Sequence, residues 1–432
     1  MIILTIAACI ILLVLLITVA RFHAFLAFLL TSIIAGLLLG IPFSKVVQSV
    51  QTGIGDTLGG LTIIICLGAM LGKLVAESGA AKKITSVLMD LFGTKYISWA
   101  LMITGFVVGI PLFYNVGFVL MVPLIFSVVY QFKLPAVYVG LPMLAALSVT
   151  HGFLPPHPSP AALVEQFNAN MGLTLMYGMM LAIPTIIIAG PVFASTLKKI
   201  NSTPLDIFKP NEVAVQLPGA FNSFATSLLP VIMLMVSTVL LMVSPGNSVI
   251  SFIGDPSIVM LIAVLVAAFT LGIKQGMNMQ HVMKIYGEAV KDVAMILLIV
   301  AGAGALKQVF TDSGVSAYIG DRLDGLDIDP LVLGWLIASV IRVCVGSATV
   351  AGLTTAGIIA PLVHASGVDP NLMVLSIGAG SLMFSHVNDP GFWMFKEYFN
   401  LSIRDTIRSW SVMETIVAVM GLVGVLAIEH LK

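Results

Sequence analysis

Stretches of about twenty apolar residues recur along the whole chain, and this pattern restricts the fold more than any other feature. A helix needs roughly 20 apolar residues to cross the hydrocarbon core of a bilayer. Of the 432 residues, 59% are hydrophobic and 9% are charged, whereas a soluble domain carries about 25% charged residues. The sequence therefore predicts an all-α polytopic membrane protein with about 12–14 hydrophobic segments.

Several classes of function find no support in the composition. The formal net charge is zero, which gives no sign of nucleic-acid binding, and no phosphate-binding loop of an ATP-driven pump is present. Cys9, Cys66 and Cys344 lie singly inside apolar runs, without the spacing of a metal or redox motif. The first apolar stretch lacks the basic region and cleavage site of a signal peptide, so it predicts a span. We expect a protein that is not an enzyme and that uses no cofactor and no metal.

The two halves of the chain resemble each other at a constant offset of 235 residues. Internal repeats of this kind are typical of secondary transporters. We therefore predict a first membrane repeat over residues 1–197, a cytoplasmic linker over 198–222 and a second membrane repeat over 223–432. The matches of scarce residue types include Glu77-Ser78-Gly79 with Asp312-Ser313-Gly314, Gly117 with Gly352, Pro135 with Pro370, His151 with His386, and Pro155 with Pro390.

The distribution of Lys and Arg predicts the orientation, because these residues stay on the cytoplasmic side. Lys82 and Lys83 follow Gly79 in the first half, whereas the equivalent segment after Gly314 is acidic. Placing the two lysines in the cytoplasm places both termini in the periplasm. Each half then holds an odd number of spans, so the second repeat is inverted relative to the first.

Two details of the span assignment bear on that orientation. Segments 97–130 and 331–364 are either pairs of full spans or re-entrant hairpins, and both alternatives keep the inversion. Residues 42–56 and 272–291 are treated as polar segments, so the spans after them are predicted to begin near residues 58 and 290.

Gly and Pro interrupt the apolar segments at equivalent positions of the two halves. GIPLFYNVG (109–117) pairs with GSATVAG (346–352), and THGFLPPHPSP (150–160) pairs with SHVNDPGFW (385–393). Lipid cannot satisfy the freed backbone groups, so such breaks lie inside protein or line a cavity. The N-termini of half-helices offer amides and a positive dipole end to an anion. The predicted substrate-binding residues are Tyr114, Asn115, His157, Ser159, Arg342, Ser347, Thr349 and Asn388.

Three residues at these breaks are predicted to carry a proton: His151, His386 and Asp389. Histidine titrates near neutral pH, and a carboxylate inside a membrane is costly and often functional. Each has a purely structural alternative, namely helix-to-helix hydrogen bonding for the histidines and a turn cap for Asp389. Arg342 either extends to the cytoplasmic surface or pairs with a carboxylate.

Four segments resemble the gluconate permease family of bacterial gluconate:proton symporters: GAMLGKLVAESGA, HGFLPPHPSPAA, GSATVAG and SHVNDPGFWMFKEYFNLS. The likeness extends over essentially the whole chain. It implies import of a sugar acid, D-gluconate first of all, across the bacterial inner membrane by alternating access, driven by the proton gradient. The wider grouping of that family has inverted repeats and helical hairpins, and its dimers and elevator-type motion imply a homodimer here.

Other functions remain open at this stage. The family also includes permeases for idonate, fructuronate, galactonate and D-serine, and residues 157–162 read HPSPAA where many gluconate permeases read HPGPTA. This departure leaves the preference among sugar acids open. A Na⁺/H⁺-type exchanger is a more remote alternative, because exchangers favour clustered carboxylates and Asp389 stands nearly alone within the predicted spans. A passive channel and an intramembrane enzyme are further alternatives.

Overall fold

The computed structural model describes residues 2–93, 96–112, 114–200, 202, 217–314, 328–387 and 389–432. All regular secondary structure within these ranges is helical. The helices are α1 (Ile2–Thr18), α2 (Ala24–Leu38), α3 (Phe43–Glu77), α4 (Ala80–Phe92), α5 (Ile97–Gly109), α6 (Tyr114–Phe132), α7 (Ala136–Phe153), α8 (Pro158–Gln166), α9 (Met171–Ile187), α10 (Phe193–Thr196), α11 (Ala220–Val243), α12 (Ser248–Ile253), α13 (Pro256–Ala267), α14 (Met279–Asp312), α15 (Pro330–Val345), α16 (Ala348–Ser366), α17 (Pro370–Gly380), α18 (Pro390–Tyr398), α19 (Ile403–Thr406) and α20 (Val412–Leu431).

Three π-helical turns join consecutive helices: Ile188–Val192 between α9 and α10, Ala268–Gly272 after α13, and Ile407–Ser411 between α19 and α20. Counted through such turns and through the break between α7 and α8, six helical segments of the described residues are long and apolar enough to cross a membrane. Helix α3, bent by 43° between Gly59 and Leu61, makes a seventh if its two parts form one span. The predicted multi-pass, all-helical membrane architecture is confirmed.

The two longest helices of the described residues, α3 and α14, pack extensively against each other. A Cβ atom on Gly53 of α3 would lie 2.3 Å from the carbonyl oxygen of Gly304 on α14, so glycine permits the close approach. The helices that contain these spans begin earlier than residues 58 and 290, at Phe43 and Met279. At α14 the Asn278 side chain caps the helix well before its apolar part, and a hydropathy window detects only that part. The residues at which the two spans enter the membrane remain a prediction.

All four predicted breaks are present. Helix α5 ends before α6, α7 before α8, α15 before α16, and α17 before α18, each within a few residues of the expected position. At 13 and 16 residues, α5 and α15 rise roughly 20 and 24 Å, less than the ~30 Å hydrocarbon core. Each is therefore shorter than the hydrocarbon core, which fits the hairpin alternative, and the choice between full spans and hairpins remains a prediction.

The starts of the helices in the second half follow those of the first at the sequence offset of 235 residues, within a few positions. Helices α3, α5, α6 and α7 correspond in this way to α14, α15, α16 and α17. The inversion of the second half relative to the membrane remains a prediction, as does the division at 198–222. Residues 201 and 203–216 of the predicted linker lie outside the described part of the chain.

Candidate functional site

A cavity of about 270 Å³ lies where four of the interrupted helices begin. Its lining includes the first residues of α6, α8, α16 and α18, which are Tyr114, Pro158, Ala348 and Pro390. The start of a helix carries free N–H groups and the positive end of the helix dipole. Four such ends around one cavity create an environment that favours an anion.

A buried ion pair forms one wall of this cavity. Arg342, in the last turn of α15, is 4% exposed, and its Nη2 donates to the Asp389 carboxylate. Asp389 in turn caps α18 by accepting a hydrogen bond of 2.9 Å from the Gly391 backbone N–H. Of the two alternatives for Arg342, the carboxylate partner is the one observed. The Nε and Nη1 atoms of Arg342 are buried without a hydrogen-bond partner among the described residues.

Tyr114 and His151 add two more polar atoms to the same cavity. The Tyr114 hydroxyl and His151 Nδ1 are buried without hydrogen-bond partners within the described ranges, and the two rings lie 5.9 Å apart. Ser347 and Thr349 complete this polar part of the lining at the start of α16. Buried polar groups cost free energy unless they are hydrogen-bonded. Together with Arg342, these groups suit a ligand that carries both a carboxylate and hydroxyls.

Glu414 is a second carboxylate in the cavity, and it is not among the residues predicted from the sequence. It is 2% exposed, and the Ser148 hydroxyl of α7 lies 2.7 and 2.9 Å from its two oxygens. The statement that Asp389 stands nearly alone is therefore wrong. The helical segment is continuous from Ile403 to Leu431, which places Glu414 about three turns inside, and not at the end of a span beginning near residue 411.

A hydrogen-bond chain connects the ion pair to the π-helical turn before α20. Trp410 Nε1 donates to the Ser385 hydroxyl over 2.7 Å, and that hydroxyl donates to Asp389. The Ser411 hydroxyl donates to the Ser385 carbonyl. Such π-helical turns inside helices are frequent at functional sites. Here the turn fixes Trp410, which also lines the cavity, against the loop that carries Asp389.

Six of the predicted site residues therefore line one cavity: Tyr114, His151, Arg342, Ser347, Thr349 and Asp389. His157 lies behind it, where its Nε2 donates to the Gly109 carbonyl over 2.8 Å and satisfies the open end of α5. Ser159 is buried between α8 and α16, where a Cβ on Gly352 would lie 3.3 Å from its hydroxyl oxygen.

The other three predicted residues are not placed in the lining. His386 is partly exposed and its ring meets Phe384 edge-on at 5.7 Å. Asn388 lies outside the described residues, as does the side chain of Asn115. The roles predicted for all eleven residues remain predictions. Within the described ranges, no group of three or more His, Cys, Asp or Glu side chains could hold a metal ion.

The fold is shared with solved transporters of low sequence identity. The Alcanivorax borkumensis YdaH transporter superposes with a TM-score of 0.68 at 17% identity, over 94% of this chain and 98% of that one. Neisseria gonorrhoeae MtrF, described as one of a class of antimetabolite efflux pumps, superposes with a TM-score of 0.61 at 14% identity, over 90% and 84%.

Sequence relatives are much closer. The chain is 48% identical to a high-affinity gluconate transporter of Escherichia coli K12 over 97% of both chains. It is 45% identical to the Gnt-II system L-idonate transporter of the same strain over 98% of both chains, and 44% identical to the gluconate permease of Bacillus subtilis 168 over 93% of both. A sequence model of the GntP family permeases matches residues 1–431. The chain thus belongs to the GntP permease family.

Proposed function

We propose that this protein imports a sugar acid, D-gluconate first of all, by proton symport across the bacterial inner membrane. The observation that carries the proposal is the cavity in which the buried Arg342 meets the starts of four helices. A gluconate transporter at 48% identity supports the choice of substrate.

The substrate carboxylate would bind to Arg342 Nε and Nη1, because a guanidinium matches a carboxylate in shape and charge. Its hydroxyls would bind to Tyr114, Ser347 and Thr349, which provide donors and acceptors on the same wall. Further proposed binding residues are Asn115, His157, Ser159 and Asn388. Of these, His157 and Ser159 would have to reach the substrate in another conformation. Alternating access around this site would release the substrate on the opposite side.

Proton coupling is proposed to use the titratable groups near the cavity. His151 and Asp389 line it directly, and His386 precedes Asp389 in the same loop. A proton bound with the sugar acid would offset the charge of its carboxylate. This compensation lowers the cost of carrying an anion through a low-dielectric protein interior.

We further propose that both termini are periplasmic, that the second half is inverted, and that the protein is a homodimer. The recurrence of helix bounds between the halves supports the internal repeat on which the inversion depends. The distribution of Lys and Arg between the loops supports the same orientation.

Idonate is the second candidate substrate. The L-idonate transporter of E. coli is 45% identical to this chain, against 48% for the gluconate transporter. The two sugar acids present the same carboxylate and hydroxyl chemistry to the cavity. A cation exchanger is disfavoured on different grounds, since four helices begin at the cavity and turn the positive ends of their dipoles towards it.

The test is uptake of radiolabelled D-gluconate into proteoliposomes with an imposed inward proton gradient. Unlabelled idonate, fructuronate, galactonate and D-serine serve as competitors. Accumulation that an uncoupler abolishes supports symport, and the strongest competitor identifies the substrate. Equilibration without accumulation supports a channel, and no gluconate uptake under any proton or sodium gradient rejects the proposal.

A further inference from the structure

Among the ionisable side chains that line the cavity, Glu414 differs in how its charge is compensated. Arg342 and Asp389 compensate each other, and Asp389 also accepts bonds from Ser385 and Gly391. Within the described residues, Glu414 receives hydrogen bonds from a single hydroxyl, that of Ser148. A buried ionised carboxylate needs a cation or several donors to offset its desolvation. Ionised Glu414 is therefore the unmatched charge of the cavity.

An incoming carboxylate makes this imbalance worse. With Glu414 ionised, the cavity holds one cation and two anions before the substrate enters, and one cation and three anions afterwards. A single proton on Glu414 offsets the negative charge that the substrate carboxylate adds, so that the loaded and the unloaded cavity carry the same net charge. Proton and substrate then enter as a neutral pair, so that transport moves no net charge through the membrane.

We propose that Glu414, in place of His151, His386 and Asp389, is the group that takes up the coupled proton, and that this protonation admits the sugar-acid carboxylate beside Arg342. This inference rests on the proposed symport. The proton comes from the periplasmic solution, binds a Glu414 carboxylate oxygen, and is released to the cytoplasm after the substrate leaves. Ser148 acts as a positioning residue, because its hydroxyl donates to the ionised carboxylate and accepts from the protonated one.

Other charged and titratable groups face the same space. The helices packed against α20 include α7, α9, α15 and α17. From α7 the cavity receives His151, from α15 Arg342, from the loop before α18 Asp389, and from α6 Tyr114. His151 is the competing proton carrier, since a proton on its ring also adds one positive charge. The experiment therefore has to compare Glu414 with His151.

The test uses Glu414→Gln and His151→Gln in proteoliposomes, with two readouts. The first readout is accumulation of labelled gluconate driven by a proton gradient. The second is exchange of internal for external gluconate, which needs no net proton movement. Because an amide imitates the protonated carboxyl group, Glu414→Gln is expected to keep exchange, at a rate independent of pH, and to lose accumulation. Glu414→Asp is expected to keep accumulation with a shifted pH profile, and Ser148→Ala to shift that profile as well.

Glu397→Gln is the matched control, because Glu397 is a carboxylate 67% exposed at its side chain and paired with Lys396 away from the cavity. It should accumulate gluconate like the wild type. The inference is overturned if Glu414→Gln still accumulates gluconate, if it loses exchange as well, or if His151→Gln alone separates exchange from accumulation. A wild-type protein that exchanges gluconate but never accumulates it would instead reject the symport on which the inference rests.

Discussion

Replacing Arg342 by lysine separates the two tasks that the structure gives this side chain. One guanidinium nitrogen, Nη2, donates to Asp389, whereas Nε and Nη1 are buried without partners in the described part of the chain. Lysine keeps the positive charge and can still pair with Asp389, but it lacks the planar fork. We therefore expect Arg342→Lys to fold and to lose most of its affinity for a sugar acid.

The magnitude follows from the bonds lost. A hydrogen bond to a charged group contributes about 1.5–3 kcal/mol, which is roughly a 10- to 150-fold weakening in Kd. Arg342→Ala should in addition lose about 3–5 kcal/mol of stability, because it leaves Asp389 as an unpaired carboxylate in the protein interior. Both variants are thus expected to bind the sugar acid more weakly, and Arg342→Ala is expected to be less stable than Arg342→Lys.

Isothermal titration of the purified protein with D-gluconate measures the affinity, and thermal unfolding followed by tryptophan fluorescence measures the stability. Arg404→Lys is the matched control, because Arg404 is exposed and lies outside the cavity. An unchanged Kd in Arg342→Lys would refute the assignment of the guanidinium as the carboxylate ligand. An unchanged melting temperature in Arg342→Ala would refute the argument from the ion pair.

Three further substitutions test the packing that holds the site. Gly304→Ala should destabilise the fold by about 1–3 kcal/mol, since its Cβ would lie 2.1 Å from the Thr57 hydroxyl; Gly287→Ala, on the open face of the same helix, should be neutral or stabilising. Gly346→Ala should cost roughly 1 kcal/mol, because Gly346 ends α15 at φ 79°. His157→Phe should cost about 1–3 kcal/mol by leaving the Gly109 carbonyl unpaired. Thermal unfolding in detergent measures all four, and equal melting temperatures for the two α14 variants would contradict the packing argument.

The frame of the site could be predicted from the sequence because broken helices have a local chemical cause. Proline lacks a backbone donor, and glycine ends a helix at positive φ, so HGFLPPHPSP and GSATVAG mark their breaks without any knowledge of tertiary contacts. The residues at these breaks, together with the charged Arg342 inside an apolar segment, gave six residues of the cavity lining. The contact between Arg342 and Asp389 could be given only as one of two alternatives, because it joins residues 47 positions apart through the packing of α15 against the loop before α18.

The repeat does not contain the charges of the site, so matching the two halves could not identify Glu414. Arg342, Asp389 and Glu414 all come from the second half, and the residues at the equivalent positions of the first half are Val107, Leu154 and Met179. The first half contributes Tyr114, Ser148 and His151 in their place. The internal repeat therefore predicts where the four helix ends lie, whereas the positions at which the two halves differ determine the charge of the site. In a transporter with an internal repeat, the two halves can be searched for an ionisable residue whose equivalent in the other half is apolar. This comparison would have identified Glu414, whose equivalent is Met179.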